Sequence, residues 1–253
     1  MKLLHRALRR IQGRAEDAAE PIRVATAEPA PPTLEDDLEK ARQAWLDQMS
    51  VHANYLGVID IPGYPILDAK HLSNCRMFPL REHILECMPK HGKAAELGVQ
   101  EGEFSREILK ICRPAELHLV DINLTTFKVA ERFAPEIARG VVTLHEGDSA
   151  TTISAFPDNH FDFIYIDADH SYAGVKRDIA AAVPKLGRDG YLLFNDYTFW
   201  SSAECIPYGV MQAVNELCIE DEWEIVYFAF GYMGYSDVAV RPISRRNDLP
   251  SSQ

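Results

Sequence analysis

Four polar side chains able to do chemistry sit in two short stretches of this chain. Phe163-Ile-Tyr-Ile-Asp-Ala-Asp-His-Ser-Tyr172 carries Asp167 and His170, and Tyr191-Leu-Leu-Phe-Asn-Asp-Tyr197 carries Asn195 and Asp196. Each set follows directly on a short apolar run, so each stands at the end of a strand. Adjacent parallel strands lie roughly 4.8 Å apart, which would bring the two sets together at one sheet edge. Asp167, Asn195 and Asp196 then offer three oxygen donors, which suit a hard divalent cation such as Mg2+ with positions left open. His170 can reach the same spot, and an imidazole of ordinary pKa about 6.5 suits a general base beside an activated hydroxyl. The competing uses are helix capping and loop hydrogen bonding for the acids, and a structural role for His170.

Three earlier loops also end apolar runs. In Glu96-Leu-Gly-Val-Gln-Glu-Gly-Glu-Phe-Ser105, Gly98 and Gly102 permit a tight turn and close approach to a ligand. Gln100 stands where a dinucleotide fingerprint needs its second glycine, so a crowded pyrophosphate is not expected there. A plain strand-to-helix turn is the alternative. Asp121 ends Leu117-His-Leu-Val-Asp121 and could accept from two ribose hydroxyls, or cap a helix starting at Asn123–Leu124. Asp148, in Leu144-His-Glu-Gly-Asp-Ser149, could accept from an adenine amino group or cap the next helix.

The elements that must position these loops alternate in type. Strands are expected at Ala94–Val99, Glu116–Asp121, Val141–Glu146, Phe161–Asp167, Tyr191–Asn195, Trp223–Phe230 and Ser236–Arg241. Helices are expected at Glu103–Cys112, Leu124–Phe133, Ala150–Phe156, Ala173–Leu186 and Ala203–Ile219. The alternation predicts an α/β, Rossmann-like doubly wound sheet, mostly parallel, with helices on both faces. Only Gly231–Tyr235 separates the last two strands, which is too short for a crossover and predicts an antiparallel hairpin. Such a sheet binds ligands at the carboxyl ends of its strands.

The domain divides as a basic tail with a Pro-rich linker over 1–32, a helical or lid segment over 33–80, the catalytic domain over 81–242, and a C-terminal tail over 243–253. Thr33 and Asp36 make an N-cap box for a helix from Leu34 to about Met49, with Leu38, Ala41, Trp45 and Met49 on one face. Residues 50–80 are broken by Pro62, Gly63 and Pro65 and read equally as a lid or as packing.

The formal charge is −12 over 253 residues. That balance argues against a nucleic-acid binder, which needs a basic face. It is unevenly spread: Lys2, Arg6, Arg9, Arg10 and Arg14 precede any acid, leaving 21 basic against 38 acidic residues, or −17, beyond residue 14. The tail, with Leu4, Ala7, Leu8 and Ile11 at helical spacing, fits a solvated arm, a membrane-surface segment or a targeting peptide; Arg6 and Arg9 break any secretory apolar core. No apolar run approaches the roughly 18 residues of a membrane span. The five scattered cysteines show no C-x-x-C spacing, so neither a disulfide framework nor a zinc site is expected, and a cytoplasmic compartment is the default.

Taken in order, Glu96-Leu-Gly98, Asp121, Gly147-Asp148 and Asp167-Ala-Asp-His-Ser-Tyr172 resemble a class I S-adenosylmethionine-dependent methyltransferase. Ile166-Asp-Ala-Asp-His-Ser-Tyr-Ala-Gly-Val-Lys-Arg-Asp178 and Gly190-Tyr-Leu-Leu-Phe-Asn-Asp-Tyr197 are similar to bacterial small-molecule O-methyltransferases, a group that includes macrolide sugar enzymes and is related to the catechol type. The resemblance covers about residues 80–242. It implies S-adenosylmethionine as cofactor, with Glu96, Gly98 and Gly102 at its methionine end, Asp121 at the ribose, Asp148 and Ser149 near the adenine, and Asp167 close by. It implies Mg2+ or another divalent cation on Asp167, Asn195 and Asp196, and His170 as the base. The catechol-type order is Asp-Asn where this chain has Asn195-Asp196, which bears on the geometry of the metal set. Tyr172, Tyr197, Trp200 and Tyr208 could wall an acceptor pocket or simply pack. The implied partner is a small hydroxyl acceptor (sugar, polyketide or catechol-like); a homo-oligomer is compatible. The rivals are a different enzyme on the same fold, such as an aminopropyltransferase or nicotinamide-dependent oxidoreductase, and a catalytically silent cofactor-binding protein.

Overall fold

A computed structural model describes residues 33–56 and 64–243. The basic tail, the Pro-rich linker and residues 244–253 lie outside the described residues. The chain divides into two compact units, one holding the N-terminal helix and Ser201–Ile206, the other Gly63–Trp200 with Pro207 onward.

In the first unit a helix runs Leu34–Leu56, longer than the sequence predicts. Thr33 and Asp36 cap it reciprocally: Thr33 N and Oγ1 each donate to Asp36 Oδ2 at 2.8 Å, and Asp36 N donates back to Thr33 Oγ1 at 3.2 Å. Leu38 and Trp45 are exposed on it.

The second unit is built on an eight-stranded sheet. Its strands are β1 (Arg76–Phe78), β2 (Lys93–Leu97), β3 (Glu116–Asp121), β4 (Val142–Glu146), β5 (Phe161–Ile166), β6 (Leu186–Phe194), β7 (Trp223–Phe230) and β8 (Ser236–Pro242). The spatial order is β1-β7-β8-β6-β5-β2-β3-β4. The β4-β3-β2-β5-β6 block is parallel, and β8 runs antiparallel to both β6 and β7. The hairpin expected from the short Gly231–Tyr235 link is therefore present. The order reverses between β2 and β5, the switch point where open α/β sheets bind ligands.

The inner strands are apolar on both sides, as a sheet covered by helices requires. Phe163 and Tyr165 of β5 join one core with Leu117, Leu119, Phe104 and Ile108. Ile164 and Ile166 join the other with Val120, Val175, Val214 and Leu217.

Edge strand β1, which the sequence does not announce, pairs parallel with β7. Three local expectations are corrected. The helix expected over Leu124–Phe133 shrinks to Val129–Arg132, followed by Ala134–Ala138. Glu146 Oε2 captures both the N–H and the hydroxyl of Thr125 at 2.7 Å, which holds a turn, and Pro135 can only begin a helix. The helix expected from Ala173 to Leu186 runs Tyr172–Ala182 and yields to a 3-10 turn at Pro184, freeing Leu186 to open β6. The helix expected from Ala203 begins only at Val210, beyond Pro207 and Gly209. All five cysteines are free. No described helix is long and apolar enough to cross a membrane.

Candidate active site

The loops at the carboxyl ends of the parallel strands are stitched together by backbone bonds that continue the sheet. Gly147 N donates to Asp121 O (3.0 Å), Gly98 N to Val120 O (2.8 Å), Asp167 N to Leu97 O (2.7 Å) and Asn195 N to Ile166 O (3.0 Å). The predicted site residues of five separate sequence stretches thus share one edge.

Gly98 is required there. Its φ is +89°, and a Cβ would stand 2.0 Å from the carbonyl oxygen of Asp167. Without a side chain, the β2 loop lies directly on the β5 loop. Gly102, at φ +73°, caps Glu103–Ile111, and a Cβ there would meet the Phe133 ring at 2.5 Å.

Asp121 anchors the same loop. Its Oδ2 accepts from Val99 N and Gln100 N, each at 2.8 Å, and its Oδ1 accepts from Asn123 N at 2.8 Å. Oδ1 keeps acceptor capacity for a further hydroxyl. Glu96 is buried and accepts from Ser105 Oγ, tying β2 to the first turn of the following helix. Burial pushes its carboxyl up to about 8, against the Ser105 hydrogen bond and Arg81.

Asp148 caps Ser149–Ser154: its Oδ1 accepts from Thr151 N (2.9 Å) and Oγ1 (2.7 Å), and its Oδ2 pairs with Arg177 at 2.8 Å. Ser149 donates to buried Asp178 at 2.6 Å. Both polar groups proposed near an adenine are therefore engaged in building the helix start.

Asp167, His170, Asn195 and Asp196 converge. His170 Nε2 lies 3.5 Å from Asp167 Oδ1 and 3.8 Å from Asp196 Oδ2. Asp196 has φ +54°, a left-handed conformation that Asp tolerates better than most residues. The His170 ring stacks on Tyr208, with centroids 4.5 Å apart and planes 11° from parallel, and Gly209 N donates to the His170 carbonyl at 2.8 Å. Of the other aromatic wall candidates, Tyr197 is buried and donates to Asn215 at 2.5 Å, and Tyr172 lies at the surface, bonded to Glu216 at 2.7 Å.

The neighbours of the Asn195 amide favour the orientation with its nitrogen toward the acids. With nitrogen toward the acids it donates to Asp167 Oδ1 (3.0 Å) and to Asp196 Oδ1 and Oδ2 (3.0 and 3.2 Å), and its oxygen accepts from Arg81 Nη1 (3.0 Å) and Tyr165 OH (3.1 Å). With oxygen toward the acids its nitrogen faces Asp237 at 3.3 and 3.5 Å. Three oxygens then crowd together, an arrangement that a cation between them stabilises.

Sequence reasoning missed the support beneath this cluster. Arg81 donates to Tyr165 OH (3.2 Å), Tyr165 OH donates to Asp237 Oδ2 (2.8 Å), and the guanidinium sits 4.4 Å from the Phe104 ring centroid. Burial drives the Asp167 carboxyl well up, Arg81 opposes it, and Asp196 and Asp237 reinforce it. The available signal is Asp237, an acid directly before the apolar run Val238–Val240.

With the geometry in place, a family model described as a methyltransferase domain matches residues 95–197. No curated protein matches the chain. Among solved structures, the pyocyanin biosynthetic protein PhzM is 15% identical, with a TM-score of 0.49 over 64% of this chain and 54% of its own. The tRNA methyltransferase TrmK of B. subtilis is 15% identical, with a TM-score of 0.47 over 63% and 64%. A type 11 methyltransferase, named as putative, from Sulfolobus solfataricus is 17% identical, with a TM-score of 0.48 over 68% and 95%. The chain thus spans less than two-thirds of the length of the first two.

Proposed function

We propose that this chain is a class I S-adenosylmethionine-dependent methyltransferase, a reading supported by the methyltransferase-domain match over residues 95–197, and that it methylates a hydroxyl oxygen of a small molecule, with His170 as the base. The observation that carries this reading is the convergence of His170 Nε2 with Asp167 and Asp196 beside the Gly98 turn. S-adenosylmethionine supplies an electrophilic methyl group on a positively charged sulfur. Gly98 and Gly102 would bring the backbone close to it, and Asp121 holds the Val99–Gln100 turn that would face it. His170 takes the proton of the acceptor hydroxyl at Nε2. The two carboxylates 3.5 and 3.8 Å away stabilise the charge the ring then carries, and Tyr208 fixes its plane. Holding base and acceptor in line with the methyl group supplies much of the rate.

The donor chemistry of Asp167, Asp196 and the Asn195 amide oxygen fits a hard divalent cation. When bound, such an ion supplies Lewis-acid polarisation of an oxygen. A second reading is favoured by the other Asn195 orientation: the amide nitrogen satisfies both acids, and methyl transfer proceeds on His170 without a metal.

The test is transfer of labelled methyl from S-adenosylmethionine to a panel of catechol, sugar and polyketide hydroxyls, with Mg2+ and then with EDTA. The expected result is O-methyl product, lost in EDTA and restored by Mg2+. Undiminished transfer in EDTA would establish the metal-free reading, and product methylated only on nitrogen or carbon would overturn O-methylation.

A further inference from the structure

A second cluster lies at the opposite ends of the strands. Glu116 opens β3, His118 follows two residues on, and His160 immediately precedes β5. Glu116 Oε2 is 3.7 Å from His118 Nε2 and 3.6 Å from His160 Nε2, and the three ligand atoms all lie within 4.8 Å of one another. β5 separates His160 from Asp167, about 20 Å along the strand, so this cluster is no part of the candidate active site.

We propose that Glu116, His118 and His160 form a binding site for a divalent transition metal of the zinc type. Two imidazole nitrogens and one carboxylate oxygen are the ligands such an ion prefers. A tetrahedral ion with bonds near 2.0 Å spaces its ligand atoms about 3.3 Å apart, so only small side-chain shifts close the site. Both His Nε2 atoms are buried and have no hydrogen-bond partner, a cost that a metal removes.

The surroundings prepare the ligands. His118 Nδ1 lies 3.0 Å from His145 Nε2. When His118 donates its Nδ1 proton there, its Nε2 lone pair points at Glu116, the usual outer support of a metal-bound histidine. Phe156 and Phe161 pack edge-on against the His118 ring and wall the site. Lys93 takes the other carboxylate oxygen, Oε1, at 3.0 Å and leaves Oε2 to the metal.

The full chain, stripped with a chelator and dialysed, is titrated with Zn2+ against a chromophoric competitor, and separately with Co2+. The expected result is one saturable equivalent. Its affinity falls roughly tenfold or more in His160→Ala and in Glu116→Gln but is unchanged in Asp196→Asn, and Zn2+ raises the melting temperature of the parent and of Asp196→Asn more than that of the other two variants. Circular dichroism establishes that each variant folds, and Glu116→Gln carries the test should His160→Ala fail to. Absence of saturable binding, equal affinity in both variants, or a Co2+ thiolate charge-transfer band would overturn the site.

Discussion

With His170 as the proposed base, replacing it with Gln is expected to lower kcat for methyl transfer by about two to four orders of magnitude, the usual worth of a positioned general base. The affinity for S-adenosylmethionine stays within a few-fold, because the ring faces Asp167 and Asp196 and stacks on Tyr208, outside the glycine loop. Gln keeps much of the volume against Tyr208, so collapse of the loop is not the cause of the loss. Initial rates at saturating cofactor, paired with a calorimetric affinity, separate the two effects. A kcat equal to that of the parent would remove His170 from the reaction. A large loss of cofactor affinity with little change in kcat would make it a positioning residue for the binding loop.

The second large effect belongs to Gly98. An alanine there must hold a side chain at φ +89°, and its Cβ would stand 2.0 Å from the Asp167 carbonyl oxygen and 2.4 Å from the carbonyl carbon. The left-handed backbone costs an L-residue about 1–2 kcal/mol. Overpacking against fixed backbone adds about 1–3 kcal/mol. Relief requires the Leu97–Gly98 turn to move off the Asp167–Ala168 segment, which strains the 2.7 Å bond from Asp167 N to Leu97 O. One substitution thus disturbs the Gly98 loop and Asp167 together. Gly98→Ala is expected to lower the urea midpoint clearly and to weaken S-adenosylmethionine binding by at least roughly tenfold, about 1.4 kcal/mol. An unchanged midpoint with unchanged affinity would show that the loop relaxes at no cost.

Much of this was legible in the residues. The inner strands appear as short apolar runs because both faces are covered, and an acid stops each run where the chain meets solvent. That is why Asp121, Asp167 and the Asn195–Asp196 pair mark strand ends in the sequence as well as in the fold. The hairpin followed from the length of its link. Long-range pairing was not legible. Arg81 finds Tyr165 84 positions away, and Tyr165 finds Asp237 a further 72 away; no local pattern announces such partners. β1 is three residues long with Met77 exposed, too little burial to leave a periodic trace. Position alone leaves Asp148 between two uses, and only its contacts with Thr151 and Arg177 show what it holds. The helix errors have a simpler origin: Pro135, Pro184 and Pro207 limit helices that apolar spacing alone would prolong.

Binding of S-adenosylmethionine by the strand-end loops around Gly98, Asp121 and Asp167 is tested by isothermal titration of the full chain with S-adenosylmethionine and, in parallel, with NAD. Saturable one-site binding of S-adenosylmethionine is expected, with none of NAD and weakened binding in Asp121→Ala, whose loop loses its two anchoring bonds at Val99 and Gln100. Saturable NAD binding with no heat from S-adenosylmethionine would contradict it.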